Sequence, residues 1–217
     1  MSGFIDRIRT SVLRSLRRVA HFYRERRLAL FRSKILLEQS WRILDLGCGD
    51  SQNAWLMDNR KVVGLDVALS NRALQPYPFF VLGDATCLPF PSSVFDLVFS
   101  NSMVEHLPTW DHQKCCADEI RRVGSRYWIQ VPNRHFPIDP HYIIPFFQYL
   151  PHPAMKWWAK HFSLGWHKKG EYKLEDIMVR CLTRREMQDL FPDATILEER
   201  FGPLIKSYIA IGPKEPL

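Results

Sequence analysis

Two glycines, Gly47 and Gly49, follow a short apolar run in "RILDLGCGD", and Asp66 ends a second such run 19 residues after the first glycine. Backbone without a Cβ lets a ligand approach closely, and an acidic side chain in that position accepts hydrogen bonds from ribose hydroxyls. The spacing reads as a nucleotide site. A dinucleotide fingerprint needs a further glycine three positions after Gly49, where Gln52 stands, so NAD is disfavoured. Asp45 also speaks against a pyrophosphate: a carboxylate two residues before the first glycine repels phosphate but suits a ligand carrying an ammonium and a sulfonium. S-adenosylmethionine is such a ligand. In "VLGDATCLPF", Asp84 is placed to accept from the adenine amino group while the amide of Ala85 donates to the ring.

Methyl transfer from a sulfonium is an in-line displacement with a good leaving group, so the protein mainly aligns the nucleophile and excludes water. A hydroxyl acceptor still gains from a general base, and histidine has a suitable pKa. His106 and His141 are the foremost candidates, with His135 beside them. Glu105 is expected to hold backbone or cofactor groups. The histidines of residues 132–170 lack metal-ligand spacing, and the five cysteines form no Cys-x-x-Cys pair, so neither a metal site nor a disulfide framework is expected.

Apolar β-type runs separated by helical segments must carry these groups: "RILDL", "KVVGLDV", "FFVLGD", "FDLVFSN" and "YWIQVP". Such alternation predicts an α/β fold, a Rossmann-like parallel sheet with helices on both faces. "WDHQKCCADEIRRVG" reads as a helix with a basic last turn and a stopping glycine. Near the end, "ATILEERF" and "LIKSYIAIG" flank a Gly-Pro turn and predict a hairpin, which makes the sheet mixed with an antiparallel last strand. After the fifth strand comes an insertion, residues 133–170, rich in aromatics and broken by prolines into short pieces. It reads as a lid over the acceptor, although Trp157, Trp158, Phe162 and Trp166 also suit simple packing.

"ILDLGCGDS", "VVGLDVA" and "VLGDATCLPFPSSVFDLVFSNSMVEHL" together resemble the successive motifs of class I S-adenosylmethionine-dependent methyltransferases, in particular the type 11 group that includes the ubiquinone and menaquinone enzymes. The resemblance covers about residues 40–132. It implies a seven-stranded sheet, S-adenosylmethionine as cofactor, and cofactor contacts at Asp45, Gly47, Cys48, Gly49, Asp66, Val67, Asp84, Ala85 and Asn101. Ser51 departs from the pattern, since many members have a third glycine there. "VPNRHFPIDPHYIIPFFQYLP" is similar to the region after strand five in methyltransferases of bacterial polysaccharide and glycolipid biosynthesis, which implies a small-molecule, glycan or lipid-linked acceptor.

The net charge of +7 is carried by one end. Residues 1–34 hold ten Arg/Lys against two acids, leaving 20 bases and 21 acids for residues 35–217. A basic arm before a near-neutral domain disfavours RNA methylation, because an RNA enzyme needs a basic face on the domain itself. A domain that binds the cofactor without catalysis is the third reading. In the arm, Phe4, Ile5, Ile8, Val12, Leu16, Val19, Phe22 and Tyr23 share one side of a helical wheel opposite arginines. Residues 1–28 therefore suit the surface of an anionic membrane, or else pack on the domain or a second copy. A further helical turn or two is expected between Leu28 and Gln39. With no apolar stretch of signal-peptide or membrane-spanning length, the expected location is the cytoplasm, at the inner face of the membrane where the arm binds lipid.

Overall fold

A computed structural model describes residues 2–49, 53–57, 61–68, 77–139, 141–162 and 179–214, with backbone alone at residues 2–13, 16, 17, 54 and 57. The chain divides into two units, Met1–Glu38 and Gln39–Leu217. The first contains helix α1 (Ser2–Lys34), a single run where the sequence suggests two pieces. Neither proline nor glycine falls between Phe4 and Lys34, so nothing in the backbone chemistry stops the helix.

The second unit is built on seven strands: β1 (Arg42–Leu46), β2 (Lys61–Asp66), β3 (Phe79–Leu82), β4 (Leu97–Asn101), β5 (Tyr127–Pro132), β6 (Thr195–Phe201) and β7 (Leu204–Gly212). They lie in the order β3-β2-β1-β4-β5-β7-β6. Strands β1 to β5 pair in parallel, while β7 runs antiparallel to both β5 and β6, as the Gly-Pro hairpin requires. Strand order reverses between β1 and β4, the switch point at which open parallel sheets bind ligands.

Ile43 and Leu44 are both fully buried, as are Trp128 and Ile129. Continuous apolar runs in the central strands are thus explained by cover on both faces. Helix α2 (Trp110–Val123) buries Cys116, Ala117, Ile120 and Val123 against Leu44, Leu46, Val98 and Ile129. Thr109 caps it by accepting from the amide of His112. Gly124 ends it, but with φ −109° it is no left-handed cap. A Cβ on Gly124 would lie 2.6 Å from Val98 Cγ2, so close helix–strand packing selects the glycine. A later helix, Arg184–Leu190, adds Met187 and Leu190 to the same core, and Thr183 and Glu186 close a capping box at its start.

The insertion has a core of its own. Helix α3 (His152–His161) buries Met155 and Ala159 against Tyr142 and Phe147, with Trp158 packed at the edge. Trp158 therefore packs, as does Phe162 against it, while Trp157 stays 56% exposed. Trp166 lies outside the described residues. The base of the insertion is tied down where Asn133 Nδ2 donates to the Ile205 carbonyl at 2.7 Å and Arg134 Nε to that of Cys181 at 3.0 Å. No described helix is long and apolar enough to cross a membrane.

Candidate active site

The loop after β1 turns through two left-handed residues, Gly47 with φ +73° and Gly49 with φ +49°. The amides of Gly47 and Cys48 both donate to the Leu65 carbonyl, which pins the loop to the end of β2. A Cβ on Gly47 would fall 2.2 Å from Met103 Cγ and 2.6 Å from its Cβ. The loops after β1 and β4 therefore meet at this point, and only glycine allows it. At Ser102 the second loop adopts φ +60°, held by its amide to the Gln130 carbonyl and its hydroxyl to Gln130 Oε1 at 2.8 Å. Non-glycine residues pay for this conformation, and such strain concentrates at functional sites.

Asp66 lies at the rim of the loop. One carboxylate oxygen accepts from the Gly49 amide at 2.9 Å and the other from the Ala68 amide at 3.1 Å. A carboxylate has about four lone-pair positions, so these two amides leave acceptor capacity for further donors. Val67 is 72% exposed directly after it and offers an apolar face for a purine ring. Across from it, Asp84 Oδ1 accepts from both the amide and the hydroxyl of Thr86 at 2.8 Å, which holds this carboxyl below its ordinary range. Among the described residues, the turn's hydrogen bonds do not use the amide of Ala85. Arg122 of α2 fixes this loop by donating to the carbonyls of Phe90 and Leu88. Asn101 ends β4 half-buried, in register with Gln130.

Asp45 differs from expectation. Its side chain is 0% exposed and forms the floor beneath the loop, where Tyr77 Oη donates to one oxygen and Asn53 Nδ2 to the other at 3.1 Å. With both oxygens engaged it presents no surface to a ligand in this structure. Burial pushes the carboxyl up to about 7, while the bonds from Tyr77 and Asn53 oppose the rise. Cys48 is buried, and burial with the nearby Asp45 and Asp66 pushes its thiol up to about 12, so it stays neutral. Asn53 and Tyr77 carry no mark in the sequence, because their partner lies 8 and 32 positions away.

The two foremost histidines are brought together from 35 residues apart. His106 ends a 3-10 turn, Val104–His106, just past β4, and His141 comes from the insertion. Their Nε2 atoms are 3.3 Å apart, with the rings edge to face. Behind them, Asp139 is 5% exposed, and its Oδ1 meets His141 Nδ1 at 2.7 Å and accepts from the His141 amide at 2.8 Å. Its Oδ2 accepts from the Cys181 thiol. Hydrogen bonds to His141 hold the Asp139 carboxyl below its ordinary range against the opposing effect of burial. Glu105 is fully buried next to His106, its carbonyl accepting from the Arg180 amide at 2.7 Å. His135 is exposed, its amide bonded to Asn133 Oδ1. No sequence signal marked Asp139, whose function depends entirely on the histidine two positions later.

The comparisons agree with this geometry. Residues 44–126 match a family model described as a methyltransferase domain, of type 11. No curated protein matches the chain. Among solved structures, a protein from Pyrococcus horikoshii OT3 is similar with a TM-score of 0.55 at 20% identity, over 88% of this chain and 91% of that one. An S-adenosylmethionine-dependent methyltransferase from Methanosarcina mazei gives 0.53 at 15% identity, over 81% and 92%. The 1,6-didemethyltoxoflavin-N1-methyltransferase of Burkholderia thailandensis, solved with 1,6-didemethyltoxoflavin and S-adenosylhomocysteine, gives 0.51 at 15% identity, over 79% and 70%.

Proposed function

We propose that the chain, whose residues 44–126 match the type 11 methyltransferase model, is a class I S-adenosylmethionine-dependent methyltransferase and that it methylates a hydroxyl of a small-molecule, glycan or lipid-linked saccharide acceptor. When bound, S-adenosylmethionine supplies an electrophilic methyl on a positively charged sulfur. Gly47 and Gly49 admit it to the loop after β1, Asp66 takes the ribose hydroxyls, and Val67, Asp84 and Ala85 take the adenine. Asn101, closing β4, completes the set. These residues bind and orient.

The single observation that carries the hydroxyl reading is the His106–His141 pair. A neutral hydroxyl is a poor nucleophile, and its activation needs a group of the kind this pair provides. Asp139 takes the Nδ1 side of His141, which leaves Nε2 as the lone-pair nitrogen facing His106. The pair stands beside the loop after β4, where that loop meets Gly47. The insertion that supplies His141 also presents Phe146, Tyr149, Leu150 and Trp157 as exposed apolar side chains, which suits a sugar ring or a lipid-linked acceptor.

The protein acts in the cytoplasm, at the inner face of the membrane, held there by residues 1–28. An arm of this composition places the enzyme at the surface that holds a lipid-linked acceptor. Transfer of a labelled methyl group into fractionated cell extract tests the proposal: label should enter lipid or glycan fractions. Label found only in RNA overturns it, and binding of the cofactor with no transfer to any fraction supports a non-catalytic role instead.

A further inference from the structure

We propose that Glu105, His106 and His141 bind one divalent transition-metal cation of the zinc type, at which the acceptor hydroxyl is activated. The inference rests on the hydroxyl reading above and specifies how the histidine pair acts. One ligand atom from each of the three side chains lies within 4.8 Å of the others. The distance between the two Nε2 atoms is 3.3 Å. It matches the spacing of two imidazole ligands on one tetrahedral ion, about 3.3 Å for metal–nitrogen bonds of ~2.05 Å. The Glu105 carboxylate then has to close by at most about 1.5 Å, the difference between 4.8 and 3.3 Å.

Asp139 supports the same assignment. A metal-binding imidazole usually gives its other N–H to a carboxylate, which fixes the tautomer and orients the ring, and Asp139 Oδ1 stands 2.7 Å from His141 Nδ1. Asp139 is itself buried and held by the Cys181 thiol and the His141 amide, so the support is rigid. Two imidazoles and one carboxylate favour zinc, cobalt or manganese over magnesium, which prefers oxygen donors. Three protein ligands leave a coordination position, and His106 opens it to solvent. An acceptor oxygen that takes this position becomes more acidic. Its proton leaves to water, the oxygen forms its bond to the methyl carbon, and the carbon–sulfur bond breaks with both electrons passing to sulfur, giving S-adenosylhomocysteine and the methyl ether. The sequence hid this arrangement because its ligands come from two loops 35 residues apart.

The test uses full-length protein, stripped of metal and with any affinity tag removed. Cobalt(II) should bind at one equivalent and develop the visible absorption of a four-coordinate ion, with no acceptor present. Zinc should displace it and magnesium should not. His141→Ala and Glu105→Gln should each weaken cobalt binding by tenfold or more, and retained S-adenosylmethionine binding shows that each variant is folded. If Glu105→Gln does not fold, His106→Ala serves in its place. Wild-type protein that gives no cobalt spectrum, or His141→Ala and His106→Ala that bind cobalt as the wild type does, overturns the proposal. Transfer to lipid or glycan that persists in chelator also overturns it, while leaving the hydroxyl reading intact. Cobalt binding lost in the variants, in a protein that never methylates a hydroxyl, supports the metal site and removes only the acceptor.

Discussion

Asp66 pins the glycine loop through the Gly49 amide, and in the proposed role it also takes the ribose hydroxyls. Asp66→Ala should weaken S-adenosylmethionine binding by about 1–3 kcal/mol, the cost of losing charge-assisted bonds and leaving hydroxyls poorly paired. Calorimetry on the folded variant measures it, and unchanged affinity removes Asp66 from the site. Gly47→Ala meets both a left-handed backbone and the Met103 side chain, so it should cost about 1–3 kcal/mol of stability, read from urea midpoints. Adding Met103→Ala relieves the clash but not the backbone, and should restore only part of the loss. Asp45 gives a pH test. In the unfolded chain it ionises near pH 4, whereas in the folded protein burial raises its carboxyl to about 7. The folded state thus holds the proton more tightly, and this contribution to stability is complete below pH 4 and lost as pH rises to 7. Relative to Asp45→Asn, the wild type should lose stability steadily between pH 4 and 7 and run parallel above it. A cation held over the loop favours the carboxylate, so S-adenosylmethionine binding at pH 6 should release a proton, seen as a binding enthalpy that changes with buffer. The Asn variant should lack this dependence. Equal behaviour in both would confine Asp45 to holding the loop.

Elements were legible where one local rule decided them. The alternation of apolar runs with helical segments gives the five parallel strands, and the Gly-Pro turn between two β-type runs gives the β6–β7 hairpin. Strand ends were read long, for instance to Asp84 for β3 and from Phe95 for β4, because an Asx turn and an isolated bridge have the same apolar composition as a strand. The glycine turn and the acidic residues at the strand ends were legible in the sequence, and contacts with distant partners were hidden. Asp45 looks like a ligand carboxylate until Tyr77 and Asn53 are seen to hold it. His106 and His141 looked like alternatives and are neighbours. On the proposed reading, the separately cored insertion delivers one histidine to His106 and thereby sets the acceptor chemistry. Replacing residues 136–168 by a Gly/Ser linker should leave cofactor binding in place and abolish transfer. Transfer to the same acceptor by that variant, measured with labelled cofactor, would show that the insertion only supports the fold. The point variants are gentler: His106→Ala and His141→Ala should each lower the rate at saturating substrate by ~10²–10⁴. Near-normal rates in both would move activation of the acceptor to another group.

On the scale of the whole molecule, charge is divided between two units of different character: +8 over residues 1–34 and −1 over the rest. Helix α1 has 33 residues and so extends about 50 Å, far longer than packing over one small sheet requires. In its described part, Val19 and Phe22 are exposed apolar side chains, and Arg26 lies over the Phe22 ring. A guanidinium above an apolar ring suits the boundary between headgroups and acyl chains, where each arginine contributes on the order of 1 kcal/mol near an anionic surface. On the proposed membrane reading, five or six of them, with the apolar residues between, would hold the enzyme there reversibly and bring it to a lipid-linked acceptor without fixing it in the bilayer. Full-length protein should therefore sediment with vesicles containing anionic lipid and be released by high salt, because surface charges are screened within about a Debye length. Deleting residues 2–28 should abolish sedimentation while leaving the melting temperature and S-adenosylmethionine affinity of the remainder unchanged. If the full chain never sediments, or the truncated chain unfolds, the apolar side of the helix packs on protein, and the enzyme must meet its acceptor in solution.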